Sequence, residues 1–325
     1  MKEEFSRKFC VAPMMGYTTP YARNLYRSLS KKSFLFTEMI ATKTMLNSKN
    51  RDLIIENNKS NPVALQVGGS DLRELQKCSK IAYEYNYDEI NLNVGCPSKS
   101  VQQGYFGACL MKDKQLVRSC IESMQSDKII VSMKCRIGLG KELNYDFFEE
   151  FIEYVSRSGI KLIYVHARNA ILKGISPKAN RSVPKLDYNF VKKIKSAFPE
   201  ISFILNGGIN SIEEAKSLSN EFDGLMLGRL IQNNPFVLRF VDQEFYNLKE
   251  NDISTEKIIV EYFEYIKPKV KFESIFRLLS PLLQIFFGVP NSKTLKLEVH
   301  NNLKSCNINK IERLFLDFVK NYNYI

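Results

Sequence analysis

Three features of this 325-residue chain predict an α/β fold, a (β/α)8 TIM barrel followed by a small C-terminal helical domain. Eight short apolar, often β-branched runs alternate with helical patterns. Polar residues and glycines collect at the carboxyl ends of those runs, and after Asp242 the pattern turns helical without strands. The length suits one large domain of about 250 residues and a smaller one. The expected division gives residues 1–248 to the barrel and 249–325 to the helical domain.

Strands are expected at Phe9 to Ala12, Phe34 to Phe36, Pro62 to Val67, Glu89 to Asn93, Ile129 to Cys135, Leu162 to His166, Ser202 to Asn206 and Gly224 to Gly228. Small polar residues mark helix starts, where they satisfy free backbone N–H groups: Ser70 before Asp71 to Tyr85, and Asn210 with Ser211 before Glu213 to Leu218. In the tail, apolar positions recur at helical spacing over Ile258 to Ile266, Ile275 to Phe287 and Ile311 to Phe318. Gly288 and Pro290 close the middle helix.

Composition narrows the function classes. No apolar run approaches the ~18 residues of a membrane helix, and the opening Met-Lys-Glu-Glu-Phe-Ser has no apolar leader core, so a cytoplasmic protein is expected. Seven cysteines at irregular spacing, without Cys-x-x-Cys, argue for reduced thiols over a disulfide framework or zinc knuckle. Two distant histidines, His166 and His300, make no metal cluster, and no metal is assigned. The formal charge of +12 has two readings: a polyanionic partner such as nucleic acid, or a lysine-rich compositional bias. Oligomeric state is not legible, and a monomer is the working expectation.

The carboxyl ends of barrel strands build the active site in this fold. Here that rim offers, in order, Pro13-Met14-Met15, Glu38-Met39, Gln66, Asn93 with Cys96, Lys134, His166 with Arg168, Asn206-Gly207-Gly208 and Gly228-Arg229. The glycines after the seventh and eighth strands suit a phosphate, because backbone N–H groups can approach an anion there. Two tight turns are the alternative. Gln66 can donate and accept toward a heterocycle, and Lys134 and His166 can meet an anionic flavin ring. The set therefore suits FMN better than a sugar phosphate. Taken singly, Lys134 also reads as a snorkelling lysine and His166 as a core histidine. Cys96 lies in a Gly-Cys-Pro turn after an apolar strand. A thiol with a reference pKa of ~8.5 is mostly protonated at neutral pH and can act as a general acid.

These residues fall within ordered motifs: Ala-Pro-Met-Met-Gly-Tyr-Thr, Phe-Thr-Glu-Met, Pro-Val-Ala-Leu-Gln-Val-Gly-Gly-Ser-Asp, the stretch from Asn91 to Met111, His-Ala-Arg-Asn-Ala, Gly-Ile-Ser-Pro-Lys-Ala-Asn-Arg and Leu-Asn-Gly-Gly-Ile. Together they make the chain resemble the tRNA-dihydrouridine synthases from about Phe9 to Phe245, most closely the bacterial A-type branch. The resemblance implies reduction of the uridine C5–C6 double bond in the tRNA D-loop, at positions 20 and 20a, with NADPH reloading FMN. Cys96 would give the proton to C5 while the flavin delivers hydride to C6. Pro13, Met14, Met15, Gln66, Lys134, His166, Asn206, Gly207, Gly208, Gly228 and Arg229 would hold FMN. Asn93 would meet the target uridine, and Lys178 and Arg181 would meet tRNA.

The tail departs from that pattern. Ser280 stands where the family has Arg, Arg277 lies one turn earlier, and Pro281 is a potential break in that turn. Trp, usual in the A-type tail, is absent. Two other readings remain at this level: an FMN reductase or dehydrogenase of a free pyrimidine or enoate, and a non-catalytic tRNA-binding protein.

Overall fold

The computed structural model describes residues 5–57, 60–249, 252–303 and 307–321. Cys306 lies outside the described residues; the other six cysteines are free thiols. By compactness the chain forms two units, Met1–Pro20 with Ser33–Gly228, and Tyr21–Lys32 with Arg229–Ile325. The second unit thus begins earlier than residue 249 and takes in a segment from near the amino terminus. Asp242 accounts for that grouping: its buried carboxylate accepts Ser30 Oγ at 2.6 Å, Lys31 N at 2.7 Å and Lys32 N at 3.1 Å.

The first unit is a parallel barrel. Its strands are β1 (Phe9–Val11), β2 (Leu35–Phe36), β3 (Ile40–Ala41), β4 (Val63–Gly68), β5 (Glu89–Val94), β6 (Ile130–Arg136), β7 (Leu162–His166), β8 (Ser202–Asn206) and β9 (Gly224–Leu227). They pair in the order β1-β9-β8-β7-β6-β5-β4-β2, with β3 also on β4. Phe34 closes the ring onto β1: its N–H donates to Phe9 O at 2.9 Å, and its carbonyl accepts Val11 N at 2.8 Å. The expected second strand, Phe34 to Phe36, corresponds to β2, and β3 is a further short strand the sequence did not signal. Between them Thr37 Oγ1, rather than a backbone carbonyl, accepts Gln66 N at 2.9 Å.

Helices intervene between strands as the (β/α)8 pattern requires. The helix Leu72–Glu84 is capped by Asp71 rather than Ser70, because the Asp71 carboxylate reaches Glu74 N at 2.9 Å. Ser211 caps Ile212–Leu218 through Glu214 N at 3.1 Å.

Alternation along the strands divides the barrel core. Leu65, Ile90, Leu92, Met133, Ile163, Val165, Phe203 and Leu225 are fully buried, and they alternate with the residues that turn inward. Inside, Cys10, Ala12, Phe34, Phe36, Ala64, Tyr164, Ile204 and Met226 form one apolar cluster. Gln66, Glu89, Asn91, Asn93 and Ser132, on β4 to β6, share the inward alternation and are buried and polar.

In the second unit the helices Thr255–Ile266, Ile275–Ile285, Ser292–Leu303 and Ile308–Asn321 bury Ile259, Phe263, Leu278, Leu282, Leu295, Val299 and Phe315. Pro281 does not interrupt its helix, which runs through it to Ile285. Pro281 is itself buried, and Tyr262 donates its hydroxyl to Leu278 O at 2.5 Å, so packing holds the turn that lacks an amide. Gly288, at φ +76, follows the helix end as expected.

The barrel seam tolerates no added atom at Gly224, where a Cβ would lie 2.0 Å from Arg7 O. Gly224→Ala is therefore expected to destabilise the protein by at least about 1–3 kcal/mol, the usual range for overpacking, read as a lower midpoint in urea unfolding.

Candidate active site

The turn after β5 is built around Asn93. Its Oδ1 accepts the backbone N–H of Gly95 at 3.2 Å and of Cys96 at 3.0 Å, so one side chain fixes the direction in which the chain leaves the barrel. The carbonyl of Cys96 accepts Ala108 N at 2.9 Å. Gly107 makes that approach possible: it sits at φ +75, and a Cβ there would lie 2.6 Å from Cys96 O. Cys96 is half-buried, with Sγ 3.6 Å from Ser98 Oγ.

Around this turn the neighbouring strands bring polar groups into contact. Asn93 Nδ2 donates to Gln66 Oε1 at 2.9 Å, and Gln66 Nε2 donates to Asn91 Oδ1 at 2.8 Å. On β6, Lys134 stands beside Asn93 in the ladder, and its Nζ donates to Asn206 Oδ1 at 2.9 Å. Asn206 Nδ2 in turn donates to Met226 O at 2.6 Å. The chain then turns away from the sheet through Gly207 (φ +111) and Gly208 (φ +78). A Cβ on Gly207 would lie 2.6 Å from His166 Cδ2, and one on Gly208 would lie 2.4 Å from Leu186 Cδ2. Among the described residues, neither glycine N–H donates to the protein backbone.

The other expected cofactor residues lie on the same rim or beside it. Pro13 and Met14 are half-buried and Met15 is exposed, all directly after β1. Met14 Sδ lies 3.5 Å from where a Cβ on Gly228 would be. Arg229 opens the short helix Arg229–Asn233 and belongs to the second unit. Lys178 and Arg181 are exposed at the 3-10 turn Ala179–Arg181.

Three residues that sequence reasoning missed tie that outer loop to the Cys96 turn. Buried Arg136 donates to Gly95 O (3.3 Å), Asn169 O (3.2 Å) and Asn180 O (2.9 Å). Asn180, also buried, clasps Ile171 through both its N–H and carbonyl. Gln102 Nε2 spans Pro97 O at 2.9 Å and Leu172 O at 3.0 Å. Gln102 and Asn180 lie within the quoted motifs, but the contacts that join the two segments, Gln102 to Leu172 and Arg136 to Asn169 and Asn180, span 33 to 70 positions and leave no local signal.

The charge around the turn is positive. Burial, and then the neighbouring Arg136 charge, pull the Lys134 ammonium down to about 7. Burial likewise lowers Arg136 to about 10, with Arg168 and Arg181 adding repulsion. At the opposite end of the barrel, Arg7 and Glu89 form a buried ion pair at 2.8 Å. Burial works against the Arg7 charge there, but Glu89 and Tyr164 outweigh it and the net shift is upward.

The rim can do three things chemically. It offers backbone N–H groups at a double-glycine turn that have no backbone partner among the described residues, a lysine ammonium that burial brings down to about 7, and a thiol in a hydrogen-bonded turn. The donor set and the Gly207-Gly208 cradle fit a flavin nucleotide, with N–H groups for a phosphate and Lys134 for an electron-rich ring. A cavity of about 1010 Å³ opens at the other end of the barrel, around Arg7, Ile130, Leu162 and Ser202. It contains none of the rim residues and adjoins Phe5, where the described chain begins. Among the described residues no cluster of His, Cys, Asp or Glu suits a metal ion, and no helix is long and apolar enough to cross a membrane.

The family profile for dihydrouridine synthase (Dus) matches residues 10–316. The chain is 40% identical over 292 residues to the tRNA-dihydrouridine(20/20a) synthase of Shigella flexneri, covering 89% of this chain and 86% of that protein. It is equally 40% identical to the protein of that name in Escherichia coli (strain K12), covering 89% and 84% of the two chains. The protein of that name in Vibrio parahaemolyticus is 37% identical over 300 residues, covering 91% and 92%. With the profile spanning barrel and helical unit alike, the chain belongs to the dihydrouridine synthase family.

Proposed function

We propose that the protein reduces uridine to 5,6-dihydrouridine in the D-loop of tRNA, at positions 20 and 20a, with FMN as its cofactor and NADPH as reductant, in the cytoplasm. The observation that carries this reading is the Cys96 turn, which Asn93 holds at the barrel mouth on the strand beside Lys134, itself bonded to Asn206.

Pro13, Met14, Met15, Gln66, Lys134, His166, Asn206, Gly207, Gly208 and Gly228 would hold FMN, with Arg229 adjoining Gly228 in the chain. Bound and reduced, FMN supplies the hydride that C6 of uracil receives. The protein supplies the proton. Cys96 Sγ–H would give it to C5 as the C5–C6 double bond becomes a single bond, and the thiolate left behind would be reprotonated from solvent. Lys134 and Arg136, buried nearby, stabilise that thiolate. Asn93 already uses its carbonyl for the turn, so it presents N–H to the base and suits a uracil carbonyl. The uridine reaches this depth only by leaving the tRNA stack.

Exposed Lys178 and Arg181 would meet tRNA phosphates, on a loop that Arg136 and Gln102 keep in register with Cys96. In the helical unit, exposed Lys271, Phe272 and Phe276 offer charge and stacking surface for nucleotides. Arg277 is paired with Glu273 at 2.8 Å, so it substitutes for the family arginine only by giving up that contact.

The deciding experiment is anaerobic. The flavin of the purified protein is photoreduced, tRNA lacking dihydrouridine is added, and the oxidised-flavin absorbance is followed. Rapid reoxidation by tRNA but not by free uracil is expected; reoxidation by free uracil at the same rate would replace the tRNA reading with a small-molecule one. Cys96→Ala should lower single-turnover dihydrouridine formation about 10²- to 10⁴-fold, with flavin content unchanged.

The lowered Lys134 pKa gives a pH dependence. The ammonium form pairs with an anionic ligand, and the free protein loses that form as pH rises through about 7. FMN affinity should therefore fall above that pH, by up to about tenfold per unit until the pKa of the bound form is reached. Fluorescence titration across this range measures the slope, and Lys134→Met should remove it.

A further inference from the structure

The polar side chains inside β4 to β6 form one continuous line from the ion pair at one end of the barrel to the Cys96 turn at the other. Arg7 Nη2 donates to Glu89 Oε2 at 2.8 Å. Ser132 Oγ donates to Glu89 Oε1, and Asn91 Nδ2 donates to Ser132 Oγ at 2.7 Å. Gln66 Nε2 donates to Asn91 Oδ1 at 2.8 Å, and Asn93 Nδ2 donates to Gln66 Oε1 at 2.9 Å. Asn93 Oδ1 then accepts the N–H groups of Gly95 and Cys96. Glu89, Ser132 and Asn91 are fully buried, Gln66 is 1% exposed and Asn93 is 8% exposed, so water cannot stand in for a lost partner at the inner links.

The direction of this line is set independently at both ends. A carboxylate only accepts, so Ser132 must give its proton to Glu89 and accept from Asn91. Backbone N–H groups only donate, so Asn93 must turn its carbonyl toward Gly95 and Cys96. Between those ends each amide has one orientation that satisfies both neighbours, and the two requirements meet without conflict. Reversing any one amide would set donor against donor on one side and acceptor against acceptor on the other, a costly arrangement in a dry interior.

We propose that Ser132 and Asn91 are positioning residues for uridine reduction: through Gln66 they lock Asn93 as a donor toward the base and hold the Cys96 turn in its reactive place. Neither touches the base. They act because a misplacement of about 1 Å at a reacting group can cost about 10²-fold in rate. The inference rests on the reading of Asn93 and Cys96 as the groups that meet uridine.

The test compares Ser132→Ala with Tyr164→Phe in the flavin-loaded enzyme. Tyr164 also bonds Glu89, at 3.2 Å, but stands outside the line, so its loss removes a buried hydrogen bond without breaking the relay. Three quantities are measured: kcat and KM with tRNA, the rate of Cys96 alkylation by iodoacetamide, and the melting temperature. Ser132→Ala is expected to lower kcat about tenfold, with KM changed less than twofold, and to change the alkylation rate at least about threefold. Tyr164→Phe should leave both near wild type. Folded Ser132→Ala with unchanged kcat and alkylation, or the two variants behaving alike, would overturn the proposal. If Ser132→Ala does not fold, Asn91→Asp, which exchanges a donor for an acceptor at constant shape, is read by the same criteria. Alkylation needs neither tRNA nor turnover, so an enzyme inactive on tRNA would refute the proposed function while leaving the relay measurable.

Discussion

Every strand pair in the barrel is parallel, and the placement of the chemistry depends on that constraint. Parallel pairing points all carboxyl ends to one rim, so residues from β4, β5, β6, β7 and β8 meet there although more than a hundred positions separate the first from the last. Closure through Phe34 removes the free edges and makes the interior a single enclosed space. Each inward residue then faces partners chosen by register, not by chain proximity.

Charge is distributed along that interior. The carboxylate and guanidinium of Glu89 and Arg7 neutralise each other at one end, whereas among the described residues Lys134 bonds the Asn206 amide oxygen and Arg136 bonds backbone carbonyls, with no acidic partner. Arg136 is satisfied by three backbone carbonyls, which leaves its full charge to act on the site. Neutral amides separate the two ends. A rim of this kind suits a negatively charged group such as a nucleotide's phosphate.

The positive groups are coupled to the loop that carries Lys178 and Arg181. Arg136 holds Asn180 and Gly95 at once, and Gln102 holds Pro97 and Leu172, so the exposed basic loop and the Cys96 turn are braced by the same buried donors. A loop tied in this way carries less ordering cost on binding than a free one. The helical unit is organised differently, by apolar packing of Phe263, Phe286 and Phe315, and keeps its aromatic surface residues Phe272 and Phe276 outside that core.

Much of this was legible in the chain. Short apolar, often β-branched runs separated by helical patterns placed the expected strands within a residue of their observed limits, and strand ends identified Gln66, Asn93, Cys96, Lys134 and Asn206 as neighbours in space. The short strand β3 was hidden, because two residues after a ladder position taken by the Thr37 hydroxyl leave no mark on hydropathy. The helix Ser292–Leu303 was hidden too, since only Ser292, Leu295 and Val299 are buried and its apolar stripe is thin. Pro281 suggested a broken helix because local propensity omits the packing that holds the turn. The residue types and their place at strand ends were determined by the sequence alone. Which way each amide points, how far burial lowers Lys134, and that Arg136 joins Cys96 to the basic loop were decided by the tertiary structure. Hydrogen-bond direction and desolvation depend on partners that only barrel closure brings together.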